Sequence, residues 1–461
     1  MDAIAILDVG KTNAKVTLVA EGRVMEQRRQ HNESNPAPPY LHLANDRIWD
    51  WSLDQLTDLA RHANITDLVP VAHGASVAVI DDAGLVLPML DYEQEIADFD
   101  DEYERLARDF AETASPRLPC GHNPGRQLFW LQRKFPDAFA RAKAIVGYAQ
   151  YWAFMLSGVA ASELTALGCH SDLWRPRARD FSSLVDRTGW RALMPQLRAA
   201  GDVLGPIRPG LAARTGLSPY CRVRCGIHDS NATFLRWRAR LPEPFTVAST
   251  GTWIILLVAG GNLPAAGEHL DCLGNVDALG NLVASARFMG GRELERIIGN
   301  RTASQEPADR KLAQLLAGPC YALPAFSDQG GPFAGKAGCI VNEHGKDATP
   351  HDAATLAALY CALMTDLLLD VLSARGSIIV DGPFATNDVY IAALAALRPE
   401  SPVLPSAETQ GTSLGAAQLA DPRWLAELPA AAPPAAIDLA PYRARWRTLS
   451  GADRVLAEVR A

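Results

Sequence analysis

The sequence predicts an α/β protein of two large domains, and three observations carry that prediction. At ~100–200 residues per domain, a chain of 461 residues has room for more than one core. Short apolar runs that read as strands alternate with longer stretches of helical period. One strand–turn–strand unit with a small, hydroxyl-rich tip occurs twice, near residue 10 and near residue 250, as a coarse internal repeat would.

The elements follow in order. Ala3-Ile4-Ala5-Ile6-Leu7 is an apolar run ending in Asp8. The polar turn Val9-Gly10-Lys11-Thr12-Asn13 follows, and residues 14–19 alternate as a returning strand, so this is a β-hairpin. Residues 68–72 read as another strand, closed by His73-Gly74. Residues 126–142 carry Leu128, Trp130, Leu131 and Phe135 at helical spacing, with a break at Pro136. Residues 231–238 read as a helix behind Asp229. Residues 245–248 and 253–258 form the second hairpin, with Ser249-Thr250-Gly251-Thr252 at its tip. An Ala- and Leu-rich helix over 352–375 runs into the strand and tight turn of 377–383. Residues 386–397 and 411–420 read as further helices, 429–436 as a Pro/Ala-rich loop, and a last helix starts near Tyr442. Gly, Pro and the second hairpin cluster at 220–245, so the domains are expected to divide there, as 1–228 and 229–461.

Composition removes several function classes. Hydrophobic residues at 48% and charged residues at 21% are ordinary for a globular chain. A net charge of −8 without basic runs argues against nucleic acid or an anionic membrane as partner. The start has no basic, signal-like region, and no uninterrupted run reaches the ~18 apolar residues of a membrane span. The expected location is the cytoplasm. Eight scattered cysteines, none in a C-x-x-C pair, read as reduced, packed thiols rather than a zinc site.

Several segments could carry chemistry. In the first turn, Asp8 at a strand end suits Mg²⁺ held through water. Gly10 allows close backbone approach to an oxyanion, Thr12 and Asn13 offer donors, and Lys11 or Lys15 offers charge. It is no Walker loop, because Ala5 stands where that loop needs glycine and a strand follows instead of a helix. An ordinary hairpin turn reads equally well. Asp229, after Gly226-Ile227-His228, could be a general base for a hydroxyl attacking phosphorus, or simply the cap of its helix. Thr250, Gly251 and Thr252 offer hydroxyls and amides for a phosphate clamp, or only a polar turn. Gly382, Pro383 and Asn387, between a strand and a helix, could receive a base or ribose. The run from Gly411 to Ala417 could let a helix approach a ligand or another helix. His73, Gly74 and Asp91 lie at strand edges suited to sugar hydroxyls, although a strand-end histidine can also be satisfied by a neighbour.

Taken together, these segments resemble the FGGY carbohydrate kinases of the actin-like ATPase superfamily. Residues 8–15 look like that family's first phosphate loop. Residues 123–131 are similar to its first signature, with Gln127 where Lys is usual, and residues 226–232 look like the segment of the catalytic Asp. Residues 249–252 are similar to its second phosphate loop, and 381–387 with 411–417 resemble its adenosine region. The resemblance implies two RNase H-like domains flanking a central cleft. It implies ATP and Mg²⁺ as cofactors, Asp229 as base, and Asp8 at the metal. Gly10, Lys11, Thr12, Asn13, Lys15, Thr250, Gly251, Thr252, Gly382, Pro383, Asn387 and Gly411 would face ATP. His73, Gly74, Asp91 and His228 would join Asp229 at the sugar. Lys11 stands where many members have Thr, and Leu90-Asp91-Tyr92 replaces the Trp-centred motif of many xylulose kinases. That places the pattern nearer the kinases of L-fuculose and L-rhamnulose. Other sugars or polyols (xylulose, ribulose, glycerol), a non-catalytic sensor, or a polymerising or chaperone-like ATPase are the alternatives. A homodimer is the default assembly.

Overall fold

The computed structural model describes residues 1–107, 109–299 and 306–460. It divides into two compact units, and the division differs from a cut after residue 228. The first unit comprises Met1–Arg240, Gly274–Leu282 and Gln410–Ala426, and the second comprises Leu241–Leu273, Val283–Thr409 and Glu427–Ala461. The physical reason is continuity. Strand Ile227–His228 pairs with Asn64–Ala72 and runs directly into helix Asp229–Arg238, so that helix stays with the first sheet.

The first sheet runs in the order Val203–Pro206, Arg222–Arg224, Asn64–Ala72, Asp2–Val9, Asn13–Ala20, Arg23–His31, with Ile227–His228 also on Asn64–Ala72. The three N-terminal strands form an antiparallel meander. Asn64–Ala72 lies parallel to Asp2–Val9. Asp2–Val9 is central, which explains its continuous rather than alternating apolar run. Arg23–His31 alternates between exposed and half-buried, and its Arg and Glu side chains suit an edge strand that must not pair further. Leu7, Val16 and Leu68 pack with Ile48 and Trp152 in the core of this unit.

The second sheet repeats the plan: Cys272–Val276, Leu282–Phe288, Ile254–Ala259, Phe245–Thr250, Ser377–Asp381, Val403–Ser406. Phe245–Thr250 is antiparallel to Ile254–Ala259 and parallel to Ser377–Asp381, as Asp2–Val9 is to its two neighbours. The repeat foreseen in the two hairpins is therefore a repeat of whole sheets. The remaining elements fall close to their expected places. Helix Pro124–Lys134 stops before Pro136, where a proline clashes with a continuing helix. Asp388–Leu397 and Gly411–Ala417 also form, and 429–436 has no regular structure. The last helix is two, Ala440–Ser450 and Ala452–Arg460, split at Gly451, whose positive φ ends the first. Ala461 lies outside the described residues.

Helix Ala353–Val371 has the length and hydropathy of a bilayer span, but 89% of its most apolar window is buried inside its unit. Asp366 on this helix meets Arg398 at 2.7 Å and Arg447 at 2.6 Å. A buried carboxylate is tolerated when charges and hydrogen bonds compensate it.

Candidate active site

The carboxyl edge of the first sheet gathers the candidate groups. Asp8 is opposite Val71 in the pairing of strands Asp2–Val9 and Asn64–Ala72. Ile227 is opposite the same Val71 from the other side, and His228 is opposite Ala72. Asp8, His73 and Asp229 therefore leave adjacent strands at one edge. Asp8 and Asp229 are separated by one strand, about 10 Å at the backbone for strands about 4.8 Å apart. Both acids belong to the first unit, not one to each domain as a 228/229 division implies.

Asp229 is the first residue of its helix. His228 is the residue before the helix, and its side chain makes no capping bond. A carboxylate at this end is stabilised by the helix dipole. Its Oδ1 accepts from the Ser230 amide at 2.5 Å and the Ser230 hydroxyl at 3.2 Å, and lies 3.1 Å from His228 Nε2. All these contacts fall on Oδ1. Among the described residues no donor reaches Oδ2, and the side chain is 32% exposed. Burial alone would raise the Asp229 pKa. The charge and hydrogen bond of His228, then His73 and the Ser230 amide, outweigh it and hold the carboxyl at about 2. Asp229 thus stays ionised, with one oxygen anchored and one open.

Asp8 differs. It is buried, and its Oδ2 lies 3.2 Å from Lys15 Nζ, the residue directly opposite it on the returning strand. Burial pushes its pKa up to about 6, Lys15 opposes that, and the Asp229 charge adds to it. A buried carboxylate with a single cationic partner fits Mg²⁺, which typically takes one or two carboxylates plus waters and phosphate oxygens. Among the described residues no cluster of three or more His, Cys, Asp or Glu could cage an ion.

Next to these lies a polar patch suited to hydroxyls. Among the described residues neither buried His73 ring nitrogen has a hydrogen-bond partner, and the ring packs against Tyr92 and Tyr148 at 5.2 and 4.9 Å between centroids. Burial pushes its pKa down to about 4, so the ring is neutral and offers one donor and one acceptor. Asp91 is fully buried and bonded by Lys11 and Ser34. Burial would raise its pKa, but those two donors and the Glu93 amide hold it below the usual carboxylate value. Lys11 Nζ also lies 3.3 Å from Glu93 and 5.0 Å from the Tyr92 ring centre. Lys11, expected on the phosphate side, is thus tied to the group expected on the sugar side.

The other candidates are placed as follows. In the first turn the Gly10 amide donates to the Asn13 carbonyl at 3.0 Å, Asn32 Nδ2 donates to the Gly10 carbonyl at 2.8 Å, and Thr12 is exposed. Asn13 Oδ1 accepts from Arg29 at 2.7 Å. Gly74 sits so tightly that a side chain there would meet Cys169 Sγ at 2.8 Å. In the second unit the Thr250 hydroxyl donates to the Asp381 carbonyl at 2.6 Å and accepts from the Phe384 amide at 3.1 Å. Gly251 and Thr252 form the turn to Trp253. Gly382 has φ +93°, and a side chain there would collide with the Thr250 carbonyl. Pro383 opens the turn Pro383–Thr386, and Asn387 Oδ1 caps the next helix by accepting from the Tyr390 amide at 3.0 Å. Gly411 opens a helix of the first unit, packed on Asp229–Arg238 through Thr412 and Thr233 at 2.9 Å. The helix-packing reading of that small-residue run has direct support.

Three features escaped the sequence. Ser34 and Glu93 join the Lys11–Asp91 pair, Arg238 meets Asp277 at 3.4 Å, and Cys169 touches His228. Each joins residues distant in the chain or of unremarkable type, and no local pattern marks them. A cavity of about 540 Å³ lined by Asn45, Arg47, Tyr151 and Met155 contains none of the candidate residues, so it is set apart from this chemistry.

Comparison with known proteins bears on this arrangement. Residues 109–235 match the N-terminal domain of the FGGY family of carbohydrate kinases, and residues 242–428 match the FGGY carbohydrate kinase C-terminal domain. The fold superposes on a carbohydrate kinase from Novosphingobium aromaticivorans with a TM-score of 0.88, at 38% identity, over 96% of this chain and 99% of that one. A xylulose kinase from Rhodospirillum rubrum gives 0.78 at 19% identity, over 99% of both chains. A gluconate kinase from Lactobacillus acidophilus gives 0.79 at 15% identity, over 99% of this chain and 98% of that one. Those two show likeness of fold alone. The L-fuculokinase of Haemophilus influenzae is 29% identical over 137 residues, which is 28% of this chain and 27% of that protein. The chain thus matches little more than a quarter of that curated relative's length.

Proposed function

Because the chain belongs to the FGGY family of carbohydrate kinases, we propose that it transfers the terminal phosphoryl group of ATP to a hydroxyl of a neutral sugar, with Asp229 as the base. The observation that carries this reading is the open Oδ2 of Asp229, on a carboxylate anchored at Oδ1 and set at the same sheet edge as Asp8 and His73.

In this reading the sugar hydroxyl donates to Asp229 Oδ2. With a pKa of about 2, Asp229 is a weak base but a permanently ionised acceptor. That suits a loose phosphoryl-transfer transition state, where the attacking hydroxyl must be aimed first and loses its proton late. His73, Gly74, Asp91 and His228 line the sugar side. In the first unit Gly10, Thr12, Asn13 and Lys15 offer phosphates amides, hydroxyls and charge, and in the second unit Thr250, Gly251 and Thr252 offer amides and hydroxyls. Gly382, Pro383, Asn387 and Gly411 serve the adenosine. Asp8 would hold Mg²⁺, whose charge offsets that of the phosphates.

Charge supports a neutral acceptor. Lys11 is a cation near His73, and Asp91 and Glu93 neutralise it. With Asp229 also nearby, a sugar acid such as gluconate would meet net negative charge. A ketose of the L-fuculose or L-rhamnulose type is the favoured substrate, supported by the Leu90-Asp91-Tyr92 motif and the partial fuculokinase match. Eight cysteines without a disulfide support a reducing, cytoplasmic setting.

An ADP-release assay over ketoses, aldoses, polyols and sugar acids tests the reading. Turnover on neutral sugars, lost in Asp229→Asn, is the expected result. A preference for gluconate, or no release with any acceptor, would overturn it.

A further inference from the structure

Behind Asp229 lies a thiol that the mechanism above does not use. Cys169 is buried, and its Sγ lies 3.6 Å from His228 Nε2. The same nitrogen is 3.1 Å from Asp229 Oδ1. The other ring nitrogen, Nδ1, accepts from Asn231 Nδ2 at 3.0 Å, which leaves the ring proton on Nε2. The His228 amide donates to the Thr165 hydroxyl at 3.0 Å, and the Glu163 carboxylate accepts in turn from the Thr165 amide at 3.0 Å and its hydroxyl at 2.6 Å. Gly74 closes the remaining side, since a side chain there would meet both Cys169 Sγ and His228 Cδ2 within about 3 Å. The imidazole is held at both ring nitrogens, and a sulfur, not a hydrocarbon, faces its Nε2.

We propose that Cys169 and His228 form a positioning pair for the base: the Nε2–H of His228 is shared between the Cys169 sulfur and the Asp229 carboxylate, fixing Oδ1 and reserving Oδ2 for the sugar hydroxyl. This rests on the reading of Asp229 as the base. Neither residue of the pair exchanges a proton with substrate. They act by orientation, where a displacement of about 1 Å costs up to about 100-fold in rate.

The charges facing the pair agree with it. Burial would raise the Cys169 thiol, but His170 and His228 outweigh it and bring the thiol down to about 5. Burial would lower His228, but Cys169 and Asp229 hold it well above the ordinary imidazole value. His73, whose ring is neutral, and Glu163, whose charge favours it, also face this group. The thiol is therefore ionised at neutral pH, as close cationic partners produce for cysteine elsewhere, and His228 keeps its Nε2 proton between the sulfur and the Asp229 carboxylate.

Two measurements test the pair, and only one needs turnover. The ultraviolet thiolate absorbance of the wild type, minus that of Cys169→Ser, should show one thiolate well below about pH 8, where an ordinary thiol is protonated. In His228→Gln that thiolate should appear only at higher pH. In activity, Cys169→Ala and His228→Leu should lower kcat about 10- to 100-fold with little change in KM for ATP, while His228→Gln, which keeps an N–H donor, retains more. An ordinary thiol titration with unchanged kcat in Cys169→Ala would overturn the proposal, whether or not His228→Leu folds. If instead Asp229→Asn keeps full activity while the thiolate is present, the assignment of the base fails and the positioning role fails with it, while the Cys169–His228 contact itself stands.

Discussion

The two hairpins occupy the same place in two sheets of one plan and do opposite things with their polar atoms. In the first unit Asp8 faces Lys15 across the strands, Asp229 leaves one oxygen open, and the His73 nitrogens have no partner among the described residues. In the second unit the corresponding cross-strand pair is Ser249 and Ile255, and the Thr250 hydroxyl is spent on its own neighbours, the Asp381 carbonyl and the Phe384 amide. One sheet edge holds polar groups in reserve, at a cost in stability. The other is closed on itself and presents its backbone. The comparison teaches that duplicating a scaffold does not duplicate its chemistry. The strand-end residue decides whether the edge carries charge or only shape.

The largest expected effect breaks the comparison on its charged side. Asp229→Asn keeps the side-chain shape and an oxygen for the Ser230 amide, but removes the ionised acceptor. Turnover should fall about 10²–10⁴-fold, while calorimetry still detects nucleotide binding. Near-normal turnover in the variant would put the base elsewhere.

A second effect, smaller and dependent on pH, lies beneath the same edge. Burial, opposed by the Thr165 and Ala166 donors, raises the Glu163 pKa from 4.5 to about 7. The folded state therefore holds this proton more tightly than the unfolded chain. The stabilisation from Glu163 is complete below pH 4.5 and is lost as pH rises through about 7. The whole change is on the order of 3 kcal/mol. Glu163→Gln keeps an oxygen acceptor for Thr165 and never ionises. Thermal melts should show little difference from the wild type at the acid end of that window and a more stable variant above it. A difference that does not change with pH would mean that Glu163 keeps an ordinary pKa.

How much of this was legible follows the same divide. Apolar runs and alternation marked both hairpins, and the repeat followed from their similar tips. Asp8 and Asp229 could be picked out because each closes a strand-like run. The edge strand Arg23–His31 carries no apolar run to mark it. What Lys11 does could not be read, because its partner Asp91 lies 80 residues away and position 11 alone suggests phosphate. Gly411 looked like part of the second domain by sequence order, yet its helix packs on Asp229–Arg238. Thr250 shows the converse limit: a hydroxyl in a turn reads as a ligand contact, and nothing in the sequence says that it also bonds the turn's own main chain. Periodicity reports burial, and pairing across the chain has no periodicity to report.

The closed edge of the second unit can be opened at Gly382. A positive φ of 93° and the Thr250 carbonyl leave no room for a side chain there. Gly382→Ala should destabilise by on the order of 2–3 kcal/mol, seen as a lower denaturant midpoint. An unchanged midpoint would show that this turn rearranges freely and that its closure is not part of the design.

The smallest effect sharpens the comparison most, because it alters a single hydroxyl. Thr250→Val keeps the shape of the side chain and removes its bonds to the Asp381 carbonyl and the Phe384 amide. Both partners are main-chain groups in a buried turn, so leaving them unpaired should cost about 1–3 kcal/mol, toward the lower end if water enters. Thr250→Ser retains the hydroxyl and should lose less. If the hydroxyl serves only to close the turn, ATP affinity in Thr250→Val should weaken no more than in Gly382→Ala, because both act through the same loop. A much larger loss of affinity in Thr250→Val, with wild-type stability, would mean that this hydroxyl binds phosphate directly. The second edge would then also hold a polar group in reserve, and the contrast between the two hairpins would be one of charge alone.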